Sequence, residues 1–498
     1  MTGFLIGKRR GDDMRVQRHN KWEKAILLTF MLMPTLLITV TLDNDFWFLL
    51  NQGRYIVHNG FPVAEPFTIH QGLSFTIQQW LFDVLIYFLY TVFGKIGVLV
   101  LMFTAALVTL FLIYRLCMLL SGQKYYLSVV VTTICYLLLC IWFFVSRPQI
   151  LTYVILLTEL SCLEHYVRGK NWKLLLPLPL LSLLQINLHA SMWWLLFAFL
   201  APYLLETVKI NKFSINRDPL PKTGLYVIAG CMLLAGFINP YGYRAIGYIF
   251  GAFGNDTINS SILEMAVPDV KTGVGAVYFL VILVLVLCYA LNRGGSTKLR
   301  YVLLTLGSTL LSLMSVKSIP YFLFGAMLPL CYQLKNVAHR LHFHMGKSKF
   351  VPKALVAFLV LVCGYAIFVT FHDYDATKDY PTTKTALEHL QNCESTDEIV
   401  LYTSFYDGGY AEYCGFRAYI DARAEVFLES TNGKKDIFEE YMQLQRGELH
   451  YREFLDQYGF THMLVTPSDT LEVYLSRDDG FDVYYEDENC KIYVPRTG

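Results

Sequence analysis

The chain contains 498 residues, of which 55% are hydrophobic and 16% are charged, and its mean hydropathy is +0.41. These values lie outside the usual range of soluble globular proteins, so the sequence predicts an integral membrane protein. The net charge of +1 gives no indication of a nucleic-acid partner, because such partners call for a strongly basic surface.

About eleven apolar stretches follow one another up to residue 371. A membrane-spanning helix needs roughly 20 mostly apolar residues. The predicted spans lie at 25–42, 96–119, 126–145, 149–166, 174–187, 191–208, 224–239, 273–292, 300–316, 320–336 and 354–371. The segment 25–371 is therefore the predicted transmembrane domain. A basic tail, 1–24, precedes it, and the positive-inside rule predicts a cytoplasmic N-terminus.

The apolar run at 79–93 decides the predicted topology. If this run crossed the membrane, the later basic clusters would move to the outer side, against the positive-inside rule. The run has 15 residues, carries Asp83 and is followed by Gly94. We therefore predict a juxtamembrane or re-entrant helix, within a long external loop at 43–95.

The first half of this external loop predicts a second surface helix, at 45–58. Phe46 and Ile56 fall along one side of such a helix, as expected for a helix that lies at the membrane interface. Arg54 and His58 lie on the remaining surface of the helix.

The polar segment 372–498 is predicted to form a small extracytoplasmic α/β domain. Its hydrophobic periodicity predicts strands at 398–403, 417–420, 462–466, 481–486 and 491–495, helices at 436–445 and 449–458, and a turn at 407–409. Cys393, Cys414 and Cys490 lie in this domain. One disulfide is possible among them, and the sequence does not choose the pair.

Asp43 and Asp45 open the external loop where the first predicted span ends. Two carboxylates at this position can accept a proton or hold a divalent cation. Acidic residues are also common at the water-exposed end of a spanning helix, and position alone favours this simpler interpretation.

Three basic side chains are predicted on the same external side. Arg147 can bind a phosphate bidentately, or it can extend to the membrane surface as a snorkelling arginine. Lys317 lies at the outer end of a span, against the positive-inside trend. His189 follows an apolar helix and can ligate a metal, hydrogen-bond a phosphate or simply pack. Glu264 lies in a loop between spans, and it can equally be a solvent-exposed acid without a functional role.

Short motifs follow one another in order along nearly the whole chain. They are Asp45-Phe46-Trp47 with Gly53 and Ile56, Gly60-Phe61-Pro62, Phe67-Thr68, Gln79-Trp80-Leu81, Ser146-Arg147-Pro148-Gln149, Asn187-Leu188-His189-Ala190-Ser191, Asn239-Pro240-Tyr241-Gly242, Ile262-Leu263-Glu264, Gly408-Gly409-Tyr410 and Tyr419-Ile420-Asp421-Ala422-Arg423. Together they resemble a poorly characterised bacterial branch of the GT-C superfamily of membrane glycosyltransferases.

This resemblance implies a GT-C fold and an inverting glycosyltransferase that takes a sugar from a polyprenyl-phosphate donor. The acceptor is expected to be a glycan, lipid or protein of the cell envelope, on the outer side of the plasma membrane. The resemblance also implies an acidic residue in the first external loop that acts as base or metal partner, with Mg²⁺ or Mn²⁺ as an optional cofactor. Asp45 is the first choice and Asp43 the second. Asn44 separates them, whereas better-known branches often carry adjacent acids, so base and metal roles stay open.

The remaining roles are assigned from side-chain chemistry. The donor phosphate is expected to contact Arg147, Lys317 and His189. Substrate contacts are expected from Arg54, His58, Glu264, Asp421 and Arg423. For the pair Asp421 and Arg423, an ion pair that stabilises the fold is the alternative.

Three other classes of protein share parts of this pattern. A transporter would usually carry mid-span charges and an inverted repeat, whereas mid-span charges are nearly absent here apart from Glu159. A lipid-linked polysaccharide polymerase or ligase would use the same donor class and differ in its product, a long chain. A non-catalytic protein of envelope assembly is the third alternative.

Overall fold

The computed structural model describes residues 21–206, 222–252, 256–291, 298–335, isolated positions between 354 and 368, and 379–496. It confirms the predicted fold class, a polytopic α-helical membrane protein with a small C-terminal α/β domain. The helices before residue 336 are α1 (Lys21–Leu32), α2 (Phe46–Asn59), α3 (Trp80–Leu120), α4 (Tyr125–Trp142), α5 (Gln149–Gly169), α6 (Pro177–Leu188), α7 (Trp194–Glu206), α8 (Lys222–Ala235), α9 (Tyr243–Ala252), α10 (Asp256–Ser261), α11 (Gly273–Leu291), α12 (Leu299–Met314), α13 (Ile319–Phe322) and α14 (Leu328–Leu334).

Helices occupy the first ten predicted spans. Most of the eleventh predicted span, 354–371, lies outside the described residues, and so does the predicted domain boundary that follows it. Among the described helices, four are long and apolar enough to cross a membrane: Trp80–Leu120, Tyr125–Trp142, Gln149–Gly169 and Gly273–Ala290. Shorter apolar stretches lie at Trp172–Leu188, Ala190–Glu206, Thr223–Ala235 and Leu299–Met314. The first predicted span is also shorter than expected, because α1 gives way to a 3₁₀ turn that contains Pro34, a residue without a backbone N–H.

Helix α3 consists of two helical parts that meet at Gly94. Its 41 residues would measure about 60 Å as one straight helix, twice the roughly 30 Å of a bilayer core. Gly94 interrupts the helix with φ 60° and ψ −154°, a conformation that glycine adopts without a steric penalty. The predicted helix end at Gly94 is confirmed, and the non-spanning placement of residues 80–93 stays a prediction.

The C-terminal domain is a five-stranded sheet with helices around it. Its strands are β1 (Val400–Tyr402), β2 (Arg417–Ala418), β3 (His462–Val465), β4 (Phe481–Glu486) and β5 (Lys491–Pro495), in the order β2-β1-β3-β5-β4. β1 pairs in parallel with β2 and β3, and β5 pairs antiparallel with β3 and β4. The helices are α15 (Lys384–Cys393), α16 (Gly408–Tyr413), α17 (Glu429–Asn432), α18 (Ile437–Gln445), α19 (Tyr451–Tyr458) and α20 (Thr470–Leu475).

All five predicted strands are present, but the turn predicted at 407–409 is the start of α16. A Cβ at Gly408 would lie 1.8 Å from the Ile420 carbonyl oxygen, so this glycine permits the helix to touch the strand segment that follows β2. The three cysteines of the domain, Cys393, Cys414 and Cys490, are free thiols.

Helix α2 lies between the transmembrane domain and the C-terminal domain. Phe46, Trp47 and Phe48 are all buried, so both faces of its first turns are covered, rather than the single apolar face that the sequence predicts. A Cβ at Gly53 would lie 2.1 Å from the Asp83 carbonyl oxygen of α3. Contacts with α3 on one side and α16 on the other explain the burial.

The second half of the external loop joins the C-terminal domain through backbone contacts. Thr68 forms a parallel bridge with Ala418 of β2, and the Ile69 N–H donates to the Ala418 carbonyl at 3.0 Å. The external loop and the sheet therefore form one packed unit above α2.

Candidate active site

The Arg147 cluster consists of one guanidinium and three carboxylates from three separate parts of the chain. Arg147 Nη2 lies 2.9 Å from Asp43 Oδ1, its Nε lies 3.2 Å from Asp45 Oδ2, and its Nη1 lies 2.7 Å from Glu264 Oε2. The side chains of Arg147, Asp43 and Asp45 are largely covered, whereas that of Glu264 is 47% exposed. Glu264 is thus the most exposed of the three carboxylates.

Local backbone geometry places the acids of this cluster. Asp45 precedes the first residue of α2, and its N–H donates to Asp43 Oδ1 at 3.0 Å. The Asp43 N–H in turn donates to Ser146 Oγ at 3.2 Å, next to Arg147 in the connection between α4 and α5. Since Pro148 limits the residue before it to few conformations, this connection holds the guanidinium against the start of α2.

The Asp45 carboxyl differs electrically from an ordinary surface acid. The pKa of Asp45 is raised to about 7, chiefly by burial; Arg147 opposes the rise, the charges of Asp43 and Glu264 add to it, and Lys317 also opposes it. Burial alone would lower the pKa of Arg147, but the three carboxylates raise it above its ordinary value, so the guanidinium stays charged. A carboxyl with a pKa near the working pH is suited to accept a proton and release it again.

Lys317 and His189 lie near the cluster. The Lys317 N–H donates to the Glu264 carbonyl at 2.9 Å, which joins their two loops. Lys317 is half-buried, and among the described residues its ammonium has no hydrogen-bond or ion-pair partner. The charge of Lys317 also acts on His189: burial first, and then Lys317, lower the pKa of His189 to about 3. His189 is therefore a neutral hydrogen-bonding group, and its Nδ1 lies 3.1 Å from Thr152 Oγ1.

The structure does not bring the other predicted substrate residues to the Arg147 cluster. Arg54 and His58 face a separate cleft near the end of α2. Asp421 and Arg423 are 0% and 3% exposed and pair with each other. The sequence analysis gave such an ion pair as the alternative to a substrate contact, and the ion pair is present. A substrate contact by either residue stays a prediction.

Two acids around Arg423 were not predicted from the sequence. Glu65 of the external loop lies 3.1 Å from Arg423 Nη2, and Glu412 of α16 lies 3.2 Å from the same atom. Neither acid stands in a recognisable motif, so no sequence signal was available to identify them. Asn44 was also missed, and its side-chain amide donates to the Tyr406 carbonyl at 2.6 Å, which ties the cluster to the C-terminal domain.

The Arg147 cluster does not fit the expected Mg²⁺ or Mn²⁺. Across the described parts of the chain, no three His, Cys, Asp or Glu side chains are placed to hold a metal ion. The guanidinium lies among the three carboxylates and already supplies a positive charge to them.

Comparison with known proteins identifies the fold. No protein-family model matches the chain, and no curated protein matches it in sequence. The oligosaccharyltransferase of Archaeoglobus fulgidus, tethered by a disulfide to an acceptor peptide with the NVT sequon, matches with a TM-score of 0.56 and 12% identity over 96% of this chain and 74% of that one. Its apo form matches with a TM-score of 0.56 and 12% identity over 92% and 70%. ArnT from Cupriavidus metallidurans, bound to undecaprenyl phosphate, matches with a TM-score of 0.46 and 10% identity over 94% and 96%. The predicted GT-C fold is confirmed.

Proposed function

Starting from the GT-C fold, we propose that the chain is an inverting glycosyltransferase that moves a sugar from a polyprenyl-phosphate donor to a glycan, lipid or protein acceptor of the cell envelope. The Arg147 cluster carries this proposal, because it combines an acid of raised pKa with nearby cations. The shared fold with an oligosaccharyltransferase that was crystallised with its acceptor peptide supports the reaction class. The motif resemblance supports the donor class.

Asp45 is the base of the proposed reaction. Its ionised carboxylate takes the proton of an acceptor hydroxyl while the hydroxyl oxygen attacks the anomeric carbon. The bond from that carbon to the donor phosphate breaks on the opposite face, the polyprenyl phosphate leaves with the electron pair, and the configuration inverts. Asp45 afterwards returns the proton to water.

Lys317 is the cation best placed to receive the leaving phosphate. Arg147 already forms ion pairs with the three carboxylates, so its first role is to hold Asp45 in position. Lys317 retains an ammonium without a partner among the described residues, and it acts electrically on both Asp45 and His189. An anion that displaced the exposed Glu264 would reach Arg147 as well, and two cations would then stabilise the growing charge.

We place the N-terminus in the cytoplasm and the C-terminal domain outside. The distribution of lysine and arginine supports this orientation. The structure also supports it, because Asp43, Asp45, Arg147, Glu264 and Lys317 lie close together. The predicted topology places all five on the external side of the membrane.

The test is transfer of radiolabelled sugar from a panel of polyprenyl-phosphate sugars in membranes that contain the protein or its Asp45→Asn variant. We expect transfer with the unchanged chain and a loss of at least about a hundredfold with the variant, since general-base catalysis contributes 10²–10⁴-fold. Asp479→Asn, an exposed acid of the C-terminal domain, is the matched control and should retain full activity.

Each alternative has its own outcome. Retained activity in Asp45→Asn would remove Asp45 from the mechanism. A long polymer as product would identify a polymerase or ligase instead. Absence of transfer from every donor would contradict the enzyme proposal and favour an envelope-assembly protein or a transporter.

A further inference from the structure

A cleft of about 420 Å³ opens beside the last turns of α2, between this helix, the external loop and the segment from α16 to β2. Arg54, Tyr55 and His58 contribute from α2, and Phe67 and Arg417 contribute from the opposite sides. Arg54 follows Asp45 by nine residues, about 14 Å along a helix axis. The cleft is therefore a different place from the Arg147 cluster.

Two arginines face this cleft without an acidic partner. Arg54 Nη2 donates to Asn51 Oδ1 at 2.6 Å and to the Tyr413 carbonyl at 3.0 Å, both neutral acceptors, and its guanidinium lies over the Tyr413 ring. Arg417 is exposed. Within the described residues, no carboxylate forms an ion pair with either of them. These contacts hold Arg54 in place while both positive charges remain uncompensated.

The acid in the wall of the cleft does not cancel this charge. Glu412 is buried, and burial together with the adjacent Asp421 raises its pKa well above the ordinary value. Its side chain is turned away from the two arginines and into the Arg423 contacts. His58 adds a further polar group: its Nδ1 contacts the Arg54 carbonyl at 2.7 Å, and its side chain is exposed.

Aromatic and amide groups complete the lining. The Tyr55 ring is half-buried and packs edge-to-face against Phe67, with ring centroids 5.3 Å apart. Asn51 and Asn59 supply amides on the α2 side. A combination of ring surface, amides and fixed guanidinium groups suits a polar ring compound that carries an anionic group, because arginine binds carboxylate and phosphate bidentately.

We propose that this cleft binds an acidic saccharide part of the acceptor, with the carboxylate or phosphate group of the saccharide held by Arg54 and Arg417. The assignment to an acceptor rests on the proposed glycosyltransferase function. The binding of an acidic saccharide itself requires no transfer reaction and is measured separately. The separation of the cleft from Asp45 means that the anionic sugar would lie at a distance from the reacting hydroxyl.

The experiment measures binding to the purified full-length protein in lipid nanodiscs. The probes are tetragalacturonate, which carries carboxylates, its neutral methyl ester, and glucose 6-phosphate, which carries a phosphate. We expect the methyl ester to bind at least about tenfold more weakly than one of the anionic probes, because a charge-assisted hydrogen bond contributes enough for a tenfold change. The anionic probe that binds more tightly distinguishes a carboxylate from a phosphate ligand.

Variants locate the binding. Arg417→Gln changes an exposed side chain and should weaken anionic binding at least about tenfold. Arg446→Gln, an exposed arginine paired with Glu439, is the control and should bind as the unchanged chain does. Asp45→Asn should also bind normally, which separates this cleft from the Arg147 cluster.

The proposal would be overturned if the methyl ester bound as tightly as both anionic probes, if none of the three probes bound, or if anionic binding were unchanged in Arg417→Gln. Normal anionic binding by a protein that transfers no sugar would instead overturn the glycosyltransferase proposal while the saccharide site stands.

Discussion

Asp45 owes its chemistry to its surroundings. Burial, opposed by Arg147, raises the pKa of Asp45 to about 7. A pKa near the working pH suits the proposed role of Asp45 as the base and agrees with the first choice that the motif resemblance suggests.

The pH dependence of transfer tests this role. Asp45 accepts a proton only when ionised, so activity at saturating donor should fall about tenfold per pH unit below pH 7. Glu264 raises the pKa of Asp45 and Lys317 lowers it. The acidic limb of the profile should therefore move to lower pH in Glu264→Gln and to higher pH in Lys317→Gln. If the acidic limb of the pH–activity profile did not shift in either variant, a group other than Asp45 would control it.

Close backbone contacts fix the elements that carry the site. α2 starts next to Asp45 and ends at the cleft lined by Arg54 and His58, so its packing positions both. The Gly53 contact with α3 and the Gly408 contact with the segment after β2 leave no room for a side chain. Both contacts are to backbone atoms, which cannot move aside as the end of a flexible side chain could.

Alanine at either glycine should destabilise the protein. Overpacking costs roughly 1–3 kcal/mol, and in Gly53→Ala this outweighs the gain of about 1 kcal/mol in helix propensity. Thermal unfolding of purified protein in detergent measures the change. Gly230→Ala is the matched control: a Cβ there meets no atom within 4 Å, so α8 should be unchanged or slightly stabilised. An unchanged melting temperature in Gly53→Ala would contradict the observed α2–α3 contact.

At the scale of the whole molecule, Arg423 joins the external loop to the C-terminal domain. Its guanidinium bonds to Glu65 of the loop, Glu412 of α16 and Asp421 after β2, and it lies over the rings of Phe67 and Phe75. The C-terminal domain is thus held over α2 by one buried cation in addition to the backbone bridge at Thr68.

Arg423→Gln should loosen this connection. The substitution leaves buried carboxylates without their cation, which costs roughly 3–5 kcal/mol. Hydrogen–deuterium exchange should become faster at 60–79 and 417–423, while exchange in α4 and α5 stays slow. Arg496→Gln removes an exposed ion pair with Asp482 and should change neither region. Lost transfer with unchanged exchange in Arg423→Gln would instead support the predicted substrate contact.

The sequence by itself determined the membrane class, the positions of ten helices and the five strands of the C-terminal domain. These features depend on local hydrophobic periodicity, as in β4 and β5, whose predicted bounds agree with the structure. The start of α16 was mispredicted because Asp407-Gly408-Gly409 has local turn chemistry, whereas the structure uses Gly408 for a close contact with Ile420.

Only the tertiary structure decided how the site residues group together. More than a hundred residues separate Asp45 from Arg147, and again Arg147 from Glu264. Their convergence depends on helix packing that no local pattern encodes. The same packing moved Arg54 and His58 to a separate cleft and buried Asp421 with Arg423. Residue type and motif order predicted the candidate side chains, and three-dimensional proximity, with the burial it causes, determined which of them lie together.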